Sequence, residues 1–283
     1  MISRLFAYLK TMRLIICMFA SIMALEGYWL AVHRFEVFSL APIFAAIAAG
    51  SGLAFANVLN DILDLEADRV NHPRRALPAG KITPSEAGWL AGVLCGVSLL
   101  SSWLAGGQMF PLALGLIALS VVYNLWAKKI PILGNFIVAL SGALILATGS
   151  FIVPSGDFPI FPLLATLAFL LAREFLETVS DAPGDQLMGR ISVATLWGKA
   201  RVLQISFGLA LVSVVLLVAP AVWLRSAEAR LLYLLTIASI SILPGFIFFI
   251  AIWKDQSLRN IHRVIYRTRL VLFSSLISLL WLV

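Results

Sequence analysis

Long apolar runs separated by short polar punctuation make up most of the chain. A window of about 19 residues picks out nine of them, approximately 14–32, 38–60, 85–105, 109–127, 132–153, 159–179, 202–224, 231–253 and 268–283. Each is long enough to cross a hydrocarbon core of roughly 30 Å. Backbone at that depth must satisfy its own polar groups, which leaves helices or a closed barrel. No ten-residue alternating pattern is present, so the pattern predicts an all-α membrane protein with nine transmembrane helices. The first run follows a basic segment, yet it is too long for the apolar region of a signal peptide and has no small-residue cleavage site. It is expected to be a retained span.

Composition agrees with this. Of 283 residues, 61% are hydrophobic and only 12% charged, with a mean hydropathy of +1.00. That charged fraction is about half of what a soluble domain carries, which excludes a water-soluble enzyme. So much apolar surface also excludes a disordered chain. The expected organisation is a single integral membrane domain, 1–283, in two halves of about 1–130 and 131–283. Cys17 and Cys95 lie in separate apolar runs, so they read as small buried hydrophobes rather than a disulfide or thiolate site.

An odd number of spans puts the termini on opposite sides, and the basic residues decide which is which. With the N-terminus inside, the inner segments collect Arg4, Lys10, Arg13, Arg69, Arg74, Arg75, Lys81, Lys128, Lys129, Arg190, Lys199, Arg201, Lys254, Arg259, Arg263, Arg267 and Arg269. The outer segments keep Arg34, Arg225 and Arg230, and Arg173 falls within a span. The expected topology is N-terminus and polar loops cytoplasmic and C-terminus outside, in the cell (inner) membrane. The net charge of +7 is thereby a topology signal; nucleic acid is not an expected partner, because no soluble basic domain exists to bind it.

The 14 acidic residues carry the chemistry. Asp61, Asp64, Glu66 and Asp68 cluster where the second span ends; Glu174, Glu177, Asp181 and Asp185 cluster where the sixth ends. Acids at membrane depth are expensive, and such clusters call for a cation. Asn60, Asp64 and Asp68 fall at i, i+4 and i+8, stacking an amide and two carboxylates on one helix face with Asp61 beside them. Asp181 and Asp185 repeat the i, i+4 spacing, although Pro183 and Gly184 between them argue against a regular helix there. Hard oxygen ligands without His or Cys point to Mg²⁺, which keeps waters and binds one or two carboxylates together with substrate phosphates. The alternative is that these acids are solvated loop charges paired with nearby arginines.

Basic and aromatic groups follow each cluster. Arg74, Arg75 and Lys81 sit in a Pro/Gly-punctuated loop directly after the first, where guanidiniums and an ammonium suit a phosphate or diphosphate. Tyr123, Trp126, Lys128 and Lys129 form a second candidate turn, with the membrane aromatic belt as the alternative reading. The segment Lys254 to Arg269 reads as a long loop with a lipid-headgroup patch. Glu26 and Arg173 are intramembrane charges and hence functional candidates.

The order of these motifs resembles the UbiA-type intramembrane prenyltransferase family. Asn60-Asp61-Ile62-Leu63-Asp64-Leu65-Glu66-Ala67-Asp68, followed by Asn71 to Gly80, is similar to that family's first signature, N-D-x-x-D-x-x-x-D leading to N-x-P-x-R-P-x-P-x-G. Tyr123 to Lys128 with Gly134-Asn135 resembles its Y-x-x-x-x-K stretch, and Arg173-Glu174, Asp181, Gly184-Asp185 and Gly189 resemble its second signature. An uninterrupted first motif, and a second motif that opens on Arg-Glu, are most similar to the branch that includes digeranylgeranylglyceryl phosphate synthases. This chain departs from that branch with Glu177-Thr178 in place of Lys-Asp, and from the family with Ser192-Val193-Ala194 in place of Thr-Leu-Pro.

The resemblance implies a helical fold around a central apolar cavity, two Mg²⁺ ions between the aspartate motifs, and a prenyl diphosphate donor. On that basis Asn60, Asp64 and Asp68 are expected to hold one ion and Asp181 with Asp185 the other. Asp61, Arg74, Arg75, Lys81, Lys128 and Arg173 are expected to contact substrate. Tyr123 is the leading candidate to stabilise an allylic carbocation by cation–π attraction, and Lys128 to stabilise the departing diphosphate. The acceptor is expected to be hydrophobic or amphiphilic, either aromatic or a glycerol phosphate-like lipid. Oligomeric state is not legible. Two other readings stay open: a terpene cyclase or diphosphate lyase of the same fold, and a transporter, whose acids would approach the midplane on broken helices.

Overall fold

The computed structural model describes residues 2–35, 39–153, 156–187, 189, 191–224 and 226–283. Phe38, Arg190 and Arg225, which entered the span and charge readings, lie outside them. In chain order the helices are α1 (Ile2–Met12), α2 (Leu14–Val32), α3 (Leu40–Leu63), α4 (Leu65–Asn71), α5 (Pro84–Ala105), α6 (Met109–Leu125), α7 (Leu133–Leu144), α8 (Thr148–Ile152), α9 (Ile160–Leu187), α10 (Val193–Trp197), α11 (Lys199–Val218), α12 (Ala227–Ile237), α13 (Leu243–Lys254) and α14 (Leu258–Leu279). No strand occurs among the described residues, and the protein is an integral membrane helical bundle. Among the described residues seven helical stretches, rather than nine, are both long and apolar enough to cross a membrane. Of the other two runs, α6 is apolar but short, and α9 carries Arg173, Glu174, Glu177, Asp181 and Asp185 in its second half.

The chain divides into two compact units. The first comprises residues 1–28, 36–127 and 148–156. Its centre is α3, which packs against α5, α6 and α1. Small residues let the backbones approach: a Cβ on Gly50 would lie 3.2 Å from the Cys17 carbonyl oxygen and 2.4 Å from Ser21 Oγ. Ser21 Oγ donates to Ala46 O at 2.8 Å, and Ser98 Oγ on α5 donates to Ala48 O at 2.8 Å. In a medium without water such hydroxyl–carbonyl bonds fasten one helix to the next, each contributing about 0.6 kcal/mol.

The loop between α4 and α5 closes through turns. Lys81 N–H donates to Ala76 O and Gly80 N–H to Leu77 O, with Gly80 at φ +67°. A capping box then starts α5, Thr83 Oγ1 accepting from Glu86 N–H and Glu86 Oε2 accepting from Thr83 N–H, with Pro84 at the first helical position.

The second unit comprises residues 29–35, 128–147 and 157–283. Here α9 is central, flanked by α7, α11, α14 and α10. Two sequence expectations are corrected in this unit, and a third is borne out with a local irregularity. The acid segment is regular helix through Pro183 to Leu187, because membrane helices tolerate an internal proline where neighbours and local adjustment re-satisfy the freed carbonyl. The expected loop from Lys254 to Arg269 shrinks to Asp255–Ser257, since Ser257 caps α14 by accepting from Asn260 N–H. The predicted run 231–253 is continuous from Ala227 to Lys254 but contains a π-helical turn at Ala238–Ile242 just before Pro244. Proline removes the donor that would serve the carbonyl four residues back. Ser274 Oγ on α14 supplies the replacement, donating to Ile240 O at 2.6 Å.

Candidate functional site

In the first unit the acid cluster sits where α3 gives way to α4. The face Asn60, Asp64, Asp68 is interrupted rather than continuous: Asp64 leaves helical geometry (φ −97°, ψ 9°) and is both the last cap of α3 and the first of α4. The contact across the break survives, with Asn60 Nδ2 donating to Asp64 Oδ2 at 2.7 Å. The same amide donates to Asn124 Oδ1 at 2.9 Å, and Asn124 Nδ2 donates to Ser120 O at 2.9 Å. Asn124, buried one residue past Tyr123 on α6, thereby orients Asn60.

Asp61 and Asp68 are 4% and 5% exposed, and both are neutralised by arginine. Arg13 Nη2 donates to Asp61 Oδ1 at 3.1 Å and its Nη1 to Asn57 Oδ1 at 3.0 Å. To do so Arg13 occupies the left-handed region (φ +56°) at the junction of α1 and α2, a conformation costing roughly 1–2 kcal/mol for a non-glycine residue. Arg75 Nη1 donates to Asp68 Oδ2 at 2.6 Å and lies 3.7 Å from Asp61 Oδ1. Arg75 therefore belongs to an ion-pair network linking two acids. Arg74 and Lys81 are exposed and make no ion pair among the described residues. Glu66 pairs with Arg69 on the surface at 2.8 Å.

A cleft of about 540 Å³ opens here, lined by Lys10, Thr11, Arg13, Asp61, His72, Pro73, Arg74, Arg75 and Ala76. Partial burial, with the Arg75 guanidinium nearby, holds His72 below the ordinary imidazole range. His72 is thus neutral at pH 7, and the positive charge of the cleft rests on Lys10, Arg13, Arg74 and Arg75, a set suited to phosphate oxygens.

In the second unit Asp181 and Asp185 share one face of α9 at i, i+4. One to two turns earlier, Arg173 is largely buried and pairs with Glu177, and it lies 3.5 Å from Glu174. Ser180, beside Asp181, is bonded to His262 Nε2 of α14 at 2.6 Å, while His262 Nδ1 lies 3.1 Å from Leu258 O. The second bond makes Nδ1 the donor and leaves Nε2 to accept from the Ser180 hydroxyl, anchoring α9 to α14 next to the acids. Lys128 follows α6 on a 3-10 turn, Ala127–Lys129. Glu26, in α2, is 2% exposed, and neither carboxyl oxygen has a partner among the described residues.

Sequence reading missed Arg13, Asn57 and Asn124. Two of them left a trace: an asparagine inside an apolar run is a polar group needing a partner. Arg13 was absorbed into the charge count. Among the described residues no three His, Cys, Asp or Glu converge into a ready-made cage. Mg²⁺ does not need one, since it is held by one or two carboxylates plus waters and substrate phosphates. The donor set of Asn60, Asp64 and Asp68, and of Asp181 and Asp185, fits that ion.

Three comparisons bear on the site. A family model for the UbiA prenyltransferase family matches residues 16–276. A digeranylgeranylglyceryl phosphate synthase from Sulfolobus acidocaldarius is 35% identical over 201 residues, covering 68% of this chain and 70% of that protein. A solved structure of a digeranylgeranylglyceryl phosphate synthase in membranes superposes with TM-score 0.73 at 26% identity, covering 98% of this chain and 99% of the other. The fold is also that of a UbiA homologue from Archaeoglobus fulgidus bound to GPP and Mg²⁺, with TM-score 0.72 at 19% identity over 96% and 99% of the two chains.

The Arg13–Asp61 pair yields a stability prediction. Arg13→Met removes the hydrogen bonds to a buried carboxylate and an amide oxygen, leaving Asp61 with the longer Arg75 contact, and is expected to cost about 1–3 kcal/mol, read as a lowered Tm in detergent. Adding Asp61→Asn to that variant is expected to recover part of the loss. A double variant less stable than Arg13→Met alone would show that the pair is not what Arg13 is for.

Proposed function

Because the chain belongs to the UbiA prenyltransferase family and is thereby a membrane prenyltransferase, we propose that it moves a prenyl group from an allylic prenyl diphosphate to a glycerol phosphate-type lipid. Diphosphate is the leaving group. The observation that carries this reading is the first-unit cluster, where an asparagine-held Asp64 and an arginine-held Asp68 lie beside a basic cleft. The lipid acceptor is preferred to an aromatic one because of the similarity to proteins named digeranylgeranylglyceryl phosphate synthase. The orientation proposed is N-terminus and acid-bearing segments cytoplasmic, on the distribution of Lys and Arg.

Asn60, Asp64 and Asp68 would hold one Mg²⁺, and Asp181 with Asp185 another. When bound, such ions would supply Lewis-acid neutralisation of phosphate oxygens and a template for the diphosphate. The chain's own groups do the rest. Arg74, Lys81 and Lys128 bind the diphosphate oxygens and stabilise the charge that grows on them as the allylic C–O bond stretches. Tyr123 presents its ring to the allylic cation. Arg75 and Arg13 hold Asp68 and Asp61 in place through hydrogen bonds, and Arg173 does the same for Glu177. Apolar surroundings exclude water, so the acceptor hydroxyl oxygen rather than solvent attacks the allylic carbon, and its proton passes to the released diphosphate.

Two outcomes are expected. Asp64→Ala and Asp181→Ala each reduce transfer from a radiolabelled prenyl diphosphate well beyond tenfold while the protein stays folded, and chelator does the same to the unaltered chain, since one Lewis acid contributes several kcal/mol. Full activity in either variant or in excess chelator would remove the metal assignment. For Tyr123, the phenylalanine variant keeps the ring and is expected to retain activity within a few-fold. The alanine variant is expected to lose about tenfold, as befits a desolvated cation–π contact of roughly 1–2 kcal/mol. Equal rates for the two variants would deny the ring its role.

A further inference from the structure

The first three turns of α14 carry cations that the chemistry above does not use. Arg259, Arg263 and Arg267 are spaced i, i+4, i+8 and so line one side of the helix; all three are exposed. The opposite side is buried, with Ile261 at 0%, Val264 at 3% and Ile265 at 6% exposure, packed toward α9 and α13. None of the three arginines forms an ion pair among the described residues. The acid nearest in sequence, Asp255, is already engaged by Ser257, whose N–H and Oγ donate to it at 2.8 and 3.1 Å.

Two aromatics mark the depth of this face. Trp253, at the end of α13, is 70% exposed, and Tyr266, inside the arginine row, is 68% exposed. Such amphipathic rings settle at headgroup level. The arginine row forms the first part of a helical stretch, Leu258–Leu282, that is long enough to cross the membrane, and the residues from Leu270 onward are free of charge. The arginines therefore sit where lipid phosphates are, with side chains whose planar fork matches a phosphate.

We propose that this face of α14 binds the headgroups of anionic phospholipids in the membrane that holds the protein. Charge complementarity favours that occupant. Each cation near an anionic leaflet strengthens attraction by roughly fivefold, and the one acid that feels a member of the row, Asp255 near Arg263, forms no ion pair with it among the described residues. A soluble acidic partner would need no aromatic pair at lipid depth.

The test places the purified full chain in nanodiscs of mixed phosphatidylcholine and phosphatidylglycerol, extracts it in mild detergent, and quantifies the retained lipids by mass spectrometry. The unaltered protein is expected to retain phosphatidylglycerol several-fold above its bulk proportion, and a wash in high salt to remove that excess. R259Q/R263Q/R267Q is expected to fall to the bulk proportion, whereas R259K/R263K/R267K keeps most of the enrichment. Should the glutamine triple fail to fold, R263Q alone is expected to remove part of the enrichment while leaving the protein folded. Equal enrichment in the unaltered and glutamine proteins, or none in the unaltered protein, would overturn the proposal.

Discussion

A carboxylate at the edge of a hydrocarbon core persists only where a donor faces it. The effective cost of burying an unpaired ion is several kcal/mol, comparable to the whole stability of a domain. In the first unit Asp61 meets Arg13, Asp68 meets Arg75 and Asp64 meets the Asn60 amide; in the second, Glu177 meets Arg173. The requirement reaches into the backbone: Arg13 accepts a left-handed conformation to deliver both guanidinium nitrogens, and α3 ends at Asp64 instead of running on. Acids paired in this way are held in position before any ligand arrives.

Apolar surface alone cannot hold such a framework together, because lipid tails solvate leucine as well as another helix does. Specific polar fastenings do it instead. In the first unit Ser21 and Ser98 donate to carbonyls on α3, and Thr148 Oγ1 donates to Ala24 O. In the second, Ser213 on α11 donates to Ala165 O of α9, and Ser274 repairs the carbonyl that Pro244 leaves without a partner. The helices that carry the acid clusters, α3 and α9, are among those fastened by hydroxyls from their neighbours.

Helical class was legible in the chain because nine apolar runs admit no other structure in lipid. The residues of both acid clusters were legible too, since charge is rare enough at that depth to stand out. What escaped was the geometry set by tertiary partners. Pro183 and Gly184 argued locally against helix and were overruled by packing around α9. The row Asn60, Asp64, Asp68 reads as continuous because spacing carries no information about a break. The basic stretch after Lys254 reads as loop because its charges hid a buried apolar side that only packing against α9 and α13 makes visible. Arg13 was invisible as a partner for Asp61, 48 residues away, since a positive-inside count gives every arginine the same explanation.

In the proposed reaction an allylic diphosphate is ionised and its carbon chain passes to a phosphorylated lipid. Mass spectrometry of the products decides this, with purified protein offered prenyl diphosphates of several lengths together with glycerol phosphate lipids, aromatic acids and quinone precursors. A prenylated glycerol phosphate lipid, formed mole for mole with released diphosphate, is the expected product. A terpene hydrocarbon or alcohol made from the donor alone, or a prenylated aromatic in preference to the lipid, would contradict it.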